Sequence, residues 1–73
     1  MSAHPINIEF PRPGERWKHY SDAVYVVLGY SVDVKTGNVE VCYMGTEGDW
    51  YHQPIGEFIG YTLDHQKRFT KVE

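Results

Sequence analysis

Four histidines and one cysteine are the residues of this 73-residue chain whose side chains most readily ligate metals or assist catalysis. They are His4, His19, His52, His65 and Cys42. No two histidines are two residues apart, as on one strand, or four apart, as on one helix, and the cysteine lies in a different segment. A reactive cysteine also needs an electropositive surrounding and a positioned base. We therefore expect no metal site, no cofactor and no enzyme activity.

Aromatic residues indicate a different chemistry. The chain has two Trp, six Tyr and three Phe, more rings than so small a core requires. Surplus rings beside Arg and Lys can hold a base or another ring-shaped ligand while the cations contact phosphate. The predicted ligand-binding residues are Trp17, Tyr43 and Trp50 as stacking platforms, Lys18 and Arg68 as phosphate contacts, and His19 and His52 as hydrogen-bond donors.

Two other interpretations of the aromatic residues stay open. Trp17, Tyr25, Trp50 and Phe69 are also the natural choice for the hydrophobic core. Surplus tyrosines are equally suited to a protein interface, where a ring gives a large contact area at a low entropic cost.

Size and composition restrict the class of protein. A single domain of this length buries only about 60% of the surface of its unfolded chain, and one cysteine permits no internal disulfide. Added stability is then expected from self-association, so we predict a homo-oligomer. Residues 1–9 have neither a basic start nor an apolar core, and no long apolar segment follows, which predicts a cytoplasmic protein without membrane contact.

The charge distribution argues against a general nucleic-acid binder, because the net charge is −3 and the isoelectric point is about 5.7. Basic residues nevertheless concentrate at the two ends of the chain. They are Arg12, Arg16 and Lys18 near the start, and Lys67, Arg68 and Lys71 near the end. If the two ends pair as neighbouring strands, these cations share one region, although Lys and Arg also commonly guard exposed sheet edges.

The pattern of prolines and apolar residues divides the chain into two parts. Residues 1–13 carry three prolines, which predicts an extended N-terminal arm, and Ile6, Ile8 and Phe10 alternate with polar residues as in an edge strand of this domain or of a neighbouring copy. Residues 14–73 are predicted to form a small β-barrel domain.

Within that domain, short apolar runs alternate with turn signals. Strands are predicted at 16–20, 24–28, 39–44, 50–53 and 67–72, and a helical or 3₁₀ turn within 54–59. The continuous apolar run 24–28 predicts a strand buried on both faces, and Gly37 and Asn38 are expected to adopt positive φ. The predicted fold class is mainly β, a five-stranded antiparallel barrel of the SH3-like or OB-like kind.

A series of short motifs runs along the chain. They are Trp17-Lys18-His19-Tyr20, Tyr25-Val26-Val27-Leu28-Gly29, Thr36-Gly37, Val41-Cys42-Tyr43, Gly48-Asp49-Trp50, Pro54, Glu57-Phe58 and Lys67-Arg68-Phe69. In order and spacing, this series resembles domain-of-unknown-function family 1653, small bacterial and phage domains, over residues 14–72. The resemblance implies the extent of the domain and brings no established activity.

Some positions depart from that family pattern. Val32-Asp33 stands where the family has Arg-His, Met44 stands where it has a basic residue, and the segment from Trp50 to Pro54 is one residue longer. A short, acidic, divergent member fits a phage-encoded copy.

Two functions follow as expectations. The first is a non-catalytic domain that binds or sequesters a small phosphorylated or nucleotide-like ligand, in a pocket shared between subunits. The alternative is a protein-protein interaction module that docks onto a partner through aromatic anchors and an apolar sheet face. Sensitivity to salt separates them, because phosphate contacts weaken as salt rises and apolar docking persists.

Overall fold

The computed structural model describes residues 10–72, so the predicted strand pattern at Ile6 and Ile8 lies outside the described residues. Five strands and one short helix follow one another along the chain. They are β1 (Arg16–His19), β2 (Val24–Val32), β3 (Val39–Met44), β4 (Trp50–Pro54), α1 (Ile55–Phe58) and β5 (Phe69–Val72). The predicted mainly β fold, with five antiparallel strands and one helical turn, is confirmed.

All five strands belong to one sheet in the order β4-β3-β2-β1-β5, and every pairing is antiparallel. No pairing joins β4 to β5 among the described residues, so hydrogen bonds do not close the sheet into a barrel. The sheet nevertheless curls. Three strand spacings of a flat sheet would separate β3 from β5 by about 14 Å, whereas the rings of Tyr43 on β3 and Phe69 on β5 have centroids 5.6 Å apart.

Strand β2 is longer than predicted because it continues through Gly29 as a β-bulge. The register with β3 shifts between Val27 and Gly29, which leaves Leu28 as the extra residue, and Gly29 has φ 154°. The bulge moves Tyr30 to the position opposite the buried Val41. A strand read by strict alternation ends at the glycine, whereas a bulge allows pairing to continue beyond it.

The turn between β2 and β3 is built differently from the prediction. Gly37 has φ 77°, as expected, but Asn38 does not adopt positive φ, so that part of the prediction is wrong. Instead the Asp33 carboxylate accepts hydrogen bonds from the backbone N–H groups of Lys35 (2.8 Å) and Thr36 (3.2 Å). These bonds hold the loop, so one left-handed residue is sufficient to reverse the chain.

The hydrophobic core lies on the concave inner face of the sheet. Its buried residues are Trp17, Val27, Val41, Tyr43, Phe58 and Phe69. The rings of Phe58 and Phe69 stack with centroids 4.0 Å apart, and the indole of Trp17 meets Phe58 edge-on at 5.6 Å. Helix α1 therefore covers this face with the ring of Phe58, and Ile55 of the same helix packs against the core beside it.

The opposite, outer face of the sheet is less well covered. Val24 and Val26 are half-buried, so the prediction that both faces of this run are buried is wrong. Trp50 is 75% exposed and does not belong to the core. Among residues 10–72, the one helix contributes to the inner face, which leaves the outer face without a second layer. No helix in this part of the chain is long and apolar enough to cross a membrane.

Candidate functional site

Two of the predicted stacking residues are part of the core. Trp17 is 0% exposed and Tyr43 is 7% exposed. The indole N–H of Trp17 donates to Glu15 Oε1 at 3.1 Å, and the Lys67 ammonium lies 5.7 Å from its ring centroid. Burial, with nearby Tyr25 and Tyr51, raises the pKa of the Tyr43 phenol. The ring faces of both residues are occupied by the protein itself.

Three of the predicted polar ligand contacts lie around the ends of β1 and β5, with partners of their own. Lys18 Nζ is 3.3 Å from the carboxylate of Asp22. The guanidinium Nε of Arg68 donates to the backbone carbonyl of Tyr61 at 3.4 Å. His19 packs against Phe69, and burial, followed by the charge of Arg68, lowers its pKa and so favours the neutral imidazole.

The last two predicted residues, Trp50 and His52, lie on the outer face of β4. His52 Nδ1 contacts the carboxylate of Glu40, its cross-strand diagonal neighbour on β3. The seven predicted residues thus occupy three separate places: the core, the β1 and β5 ends, and the outer face. Their role in ligand binding stays a prediction. His4 lies outside the described residues, and no group of three His, Cys, Asp or Glu within residues 10–72 is placed to share a metal ion.

The basic ends of the chain do meet, since β1 pairs with β5. The alternation of side chains distributes their cations over two faces, however. Arg16 and Lys18 point to the outer face, whereas Lys71 lies opposite the buried Trp17 and forms an ion pair with Glu15 at 3.1 Å. The region is basic without forming one basic surface.

The side chain of Glu15 connects the start of β1 to the preceding turn and to β5. Its Oε1 accepts from the backbone N–H of Arg12 (2.8 Å) and from the Trp17 indole, and its Oε2 meets Lys71. The Arg12 hydrogen bond, then the Trp17 and Lys71 contacts, lower the pKa of this carboxyl below its ordinary value. This arrangement is structural, because all of its contacts fix β1 in place.

A row of directly paired residues crosses the outer face from one sheet edge to the other. We call it the outer row: Trp50, Met44, Val26, Arg16 and Val72. Met44, Val26 and Val72 are half-buried, while Trp50 and Arg16 are exposed. Four of its five members are apolar, so the row is a strip of accessible apolar surface interrupted by one guanidinium.

A second surface feature is a cleft between the start of β2 and the β3-β4 hairpin. It has a volume of about 240 Å³, and we call it the tyrosine cleft. Its lining residues are Ala23, Val24, Tyr25, Gly45, Thr46, Glu47, Asp49 and Tyr51. The rings of Tyr25 and Tyr51 meet nearly at right angles, with centroids 5.8 Å apart and planes at 82°. None of the seven predicted ligand-binding residues lines this cleft.

Sequence reasoning missed the tyrosine cleft because its parts are far apart in the chain. Tyr25 is on β2, Tyr51 is on β4, and Glu47 and Asp49 belong to the turn between β3 and β4. The pairings that bring them together, Val27 with Tyr43 and Tyr43 with Tyr51, depend on the register of three strands. The only local signal was the acidic Glu47-Gly48-Asp49 turn followed by two aromatic residues.

Comparisons with known proteins found no matching protein-family model, no similar curated protein and no similar solved structure. The resemblance to family 1653 stays a prediction, and functional inference depends on the geometry of this chain alone.

Proposed function

We propose that this chain is a non-catalytic protein-interaction module that docks a partner protein on its outer row, with Trp50 as the anchor. The observation that carries the proposal is the position of Trp50, which is 75% exposed at the end of a row of apolar residues that no described helix covers.

A tryptophan exposed at the end of a row of apolar residues is a candidate anchor for a partner protein. Tryptophan is among the residues most enriched at the energetic centres of protein interfaces, because it offers a large, rigid apolar surface. Burial of about 150 Å² of this side chain would contribute on the order of 4 kcal/mol before the ordering costs of association. Met44, directly opposite Trp50, adds an adaptable apolar neighbour.

The charges of the outer face define the chemistry of the partner. Arg16 interrupts the outer row and forms no ion pair with another residue in the range 10–72. Lys18 lies on the same face two residues further along β1 and is already paired with Asp22, so Arg16 is the cation that a partner would meet there. A partner that places a carboxylate beside its own apolar patch would complement this arrangement, because Arg binds carboxylates in a bidentate geometry.

The phosphorylated-ligand alternative has weaker support. A phosphate pocket needs cations that converge on one point, whereas Lys18 is paired with Asp22 and Arg68 with a backbone carbonyl. Burial and the charge of Arg68 also lower the pKa of His19, which disfavours the protonated imidazole that would attract a phosphate. The tyrosine cleft, with Glu47 and Asp49 in its lining, has the wrong sign of charge for an anion.

The experiment compares three forms of the full chain: wild type, Trp50→Ala and Tyr61→Ala. Tyr61 is a matched control, since it is an aromatic side chain with 63% exposure outside the outer row. The wild type is immobilised, and the proteins that it captures from a cell lysate are identified and purified. Each of them is then titrated against the three forms by calorimetry. We expect one partner whose affinity falls at least about tenfold with Trp50→Ala, in line with interface hot spots, and is unchanged with Tyr61→Ala.

Three results would contradict the proposal. Equal affinities of the Trp50→Ala and wild-type forms would remove Trp50 as the anchor. Native mass spectrometry that finds a nucleotide-sized mass retained on the purified chain would favour the phosphorylated-ligand alternative. If the only captured partner is a second copy of the chain, the outer row is a self-association surface, as expected for the predicted homo-oligomer, and docking of a different protein is wrong.

A further inference from the structure

The two rings of the tyrosine cleft, Tyr25 and Tyr51, are held in place by contacts with the core. Tyr51 stacks on Tyr43 with centroids 5.7 Å apart, and Tyr25 meets Tyr43 edge-on at 5.1 Å. Tyr43 is itself buried, so both cleft rings rest on the core rather than on solvent. Rings held in this way do not lose much rotational freedom when a ligand binds.

Gly45 opens the corner between the two rings. A methyl group added at this glycine would lie 3.4 Å from Tyr51 Cε2 and 3.5 Å from Tyr25 Cε1, which is ordinary contact distance. The glycine therefore leaves room for one small apolar group against both aromatic rings. Its backbone is not in the left-handed region, so an alanine is compatible with the chain conformation there.

The cleft is electrostatically negative. Glu47 and Asp49 are exposed and their carboxylates form no ion pair or hydrogen bond within residues 10–72. Lysine and arginine are missing from the lining residues, and the whole chain carries a net charge of −3. Carboxylates beside aromatic rings favour a positively charged ligand, since the π faces also attract cations.

We propose that the tyrosine cleft binds an alkylated ammonium group, such as the head of a quaternary amine or a methylated lysine side chain. Methyl groups on such a cation pack against the tyrosine rings while its charge meets the two carboxylates. A bare metal ion fits less well, because no third ligating side chain lies beside the two carboxylates among the described residues. The volume of 240 Å³ is below the range of about 300–1,000 Å³ typical of pockets for drug-sized ligands, so the site accommodates a head group and not a nucleotide.

The test titrates the full chain with choline and, in parallel, with 3,3-dimethylbutan-1-ol, which has the same shape without the charge. Ring-proton chemical shifts of Tyr25 and Tyr51 report binding in the cleft. We expect choline to shift these signals saturably and the neutral alcohol to bind at least about fivefold more weakly, because the cation–π and carboxylate attractions are lost.

Variants of the cleft residues test which groups contribute to choline binding. Tyr51→Leu is expected to weaken choline binding about threefold to fivefold through loss of one ring. Gly45→Ala fills the corner between the rings and is expected to weaken it by a similar factor while leaving the fold intact. Glu47→Gln with Asp49→Asn is expected to reduce both the affinity and its sensitivity to salt. Tyr61→Leu, which removes an exposed ring outside the cleft, is the control and should leave binding unchanged.

The source of the cation is resolved by a second titration with a short trimethyllysine peptide. Tighter binding of the peptide than of choline assigns the cleft to a protein side chain, and the reverse assigns it to a free small cation. The proposal is overturned if neither cation binds, if the neutral alcohol binds as tightly as choline, or if Gly45→Ala and Tyr51→Leu, both shown to be folded by circular dichroism, bind choline as the wild type does.

Discussion

The two tryptophans of this chain lie on opposite faces of the same sheet. Trp17 on β1 is fully buried beneath Phe58, and Trp50 on β4 is 75% exposed. Both sit in short strands and are followed closely by a tyrosine and a histidine, although Trp17 has basic neighbours and Trp50 follows the acidic Asp49. The two residues differ in the face of the sheet on which their side chains lie. Trp17 lies on the inner face, whereas Tyr51 and Gln53 take the inner positions of β4 and leave Trp50 and His52 on the outer face.

This difference shows that a large apolar residue in a strand is not by itself a core residue. In β1 the inner positions hold Trp17 and His19, and the core depends on the first of them. In β4 the inner positions hold two residues with polar groups, and the apolar surface faces outward. The fold thus buries one tryptophan and leaves the other exposed.

The largest expected effect comes from Trp17→Ala. Loss of a fully buried indole, with its contacts to Phe58 and Glu15, should cost about 3–5 kcal/mol of unfolding free energy. A domain of this size has a total stability of only about 4–11 kcal/mol. Urea unfolding followed by circular dichroism measures the loss, and a cost below about 1 kcal/mol would show that Trp17 is not the centre of the core.

The next largest loss of stability is expected from Gly29→Ala, at the β-bulge through which β2 continues. The added methyl of Gly29→Ala meets nothing within 4 Å, but φ is 154°, so the cost is backbone strain of about 1–3 kcal/mol. Gly56→Ala is the matched control, because this glycine lies within α1, has equally open space and no positive φ. It should be neutral or stabilising by about 0.5–1 kcal/mol. Equal destabilisation by both substitutions would contradict the assigned role of the bulge.

A smaller effect is expected from Glu15, which ties Trp17 in place from the edge of the core. The pKa of this carboxyl is lowered from 4.5 in the folded chain. Its contribution to stability is therefore complete above pH 4.5 and is lost as the pH falls through the folded pKa.

The variant Glu15→Gln tests whether Glu15 causes this loss of stability at low pH. Its melting temperature should be lower than that of the wild type at neutral pH and should change less between pH 5 and pH 3. Glu57→Gln, at an exposed glutamate on α1, provides the comparison. Parallel acid profiles for wild type and Glu15→Gln would exclude Glu15 as a source of the acid sensitivity.

Much of the fold was predictable because its signals are local. Apolar runs rich in β-branched and aromatic residues, bounded by Gly14, Gly37 and Gly48, were sufficient to predict five strands and the helical turn. The end of β2 was not predictable, because a bulge permits a strand to continue through a glycine that would otherwise indicate the end of the strand.

The candidate sites were less predictable, since they depend on contacts between distant segments. Whether Trp50 faces the core depends on which side of β4 packs inward, and a shift of one residue reverses it. The tyrosine cleft requires Tyr25 and Tyr51, 26 positions apart, to meet across the buried ring of Tyr43. The spacing of residues within one strand does not predict this contact between strands.

The smallest expected effect on stability is also the most direct test of the contrast between the two tryptophans. Thermal unfolding of Trp50→Ala, recorded beside wild type and Trp17→Ala, should give a stability within about 0.5 kcal/mol of wild type, as for an exposed residue that the fold does not use. A melt that drops toward that of Trp17→Ala would place Trp50 in the core and contradict its assignment to a docking surface.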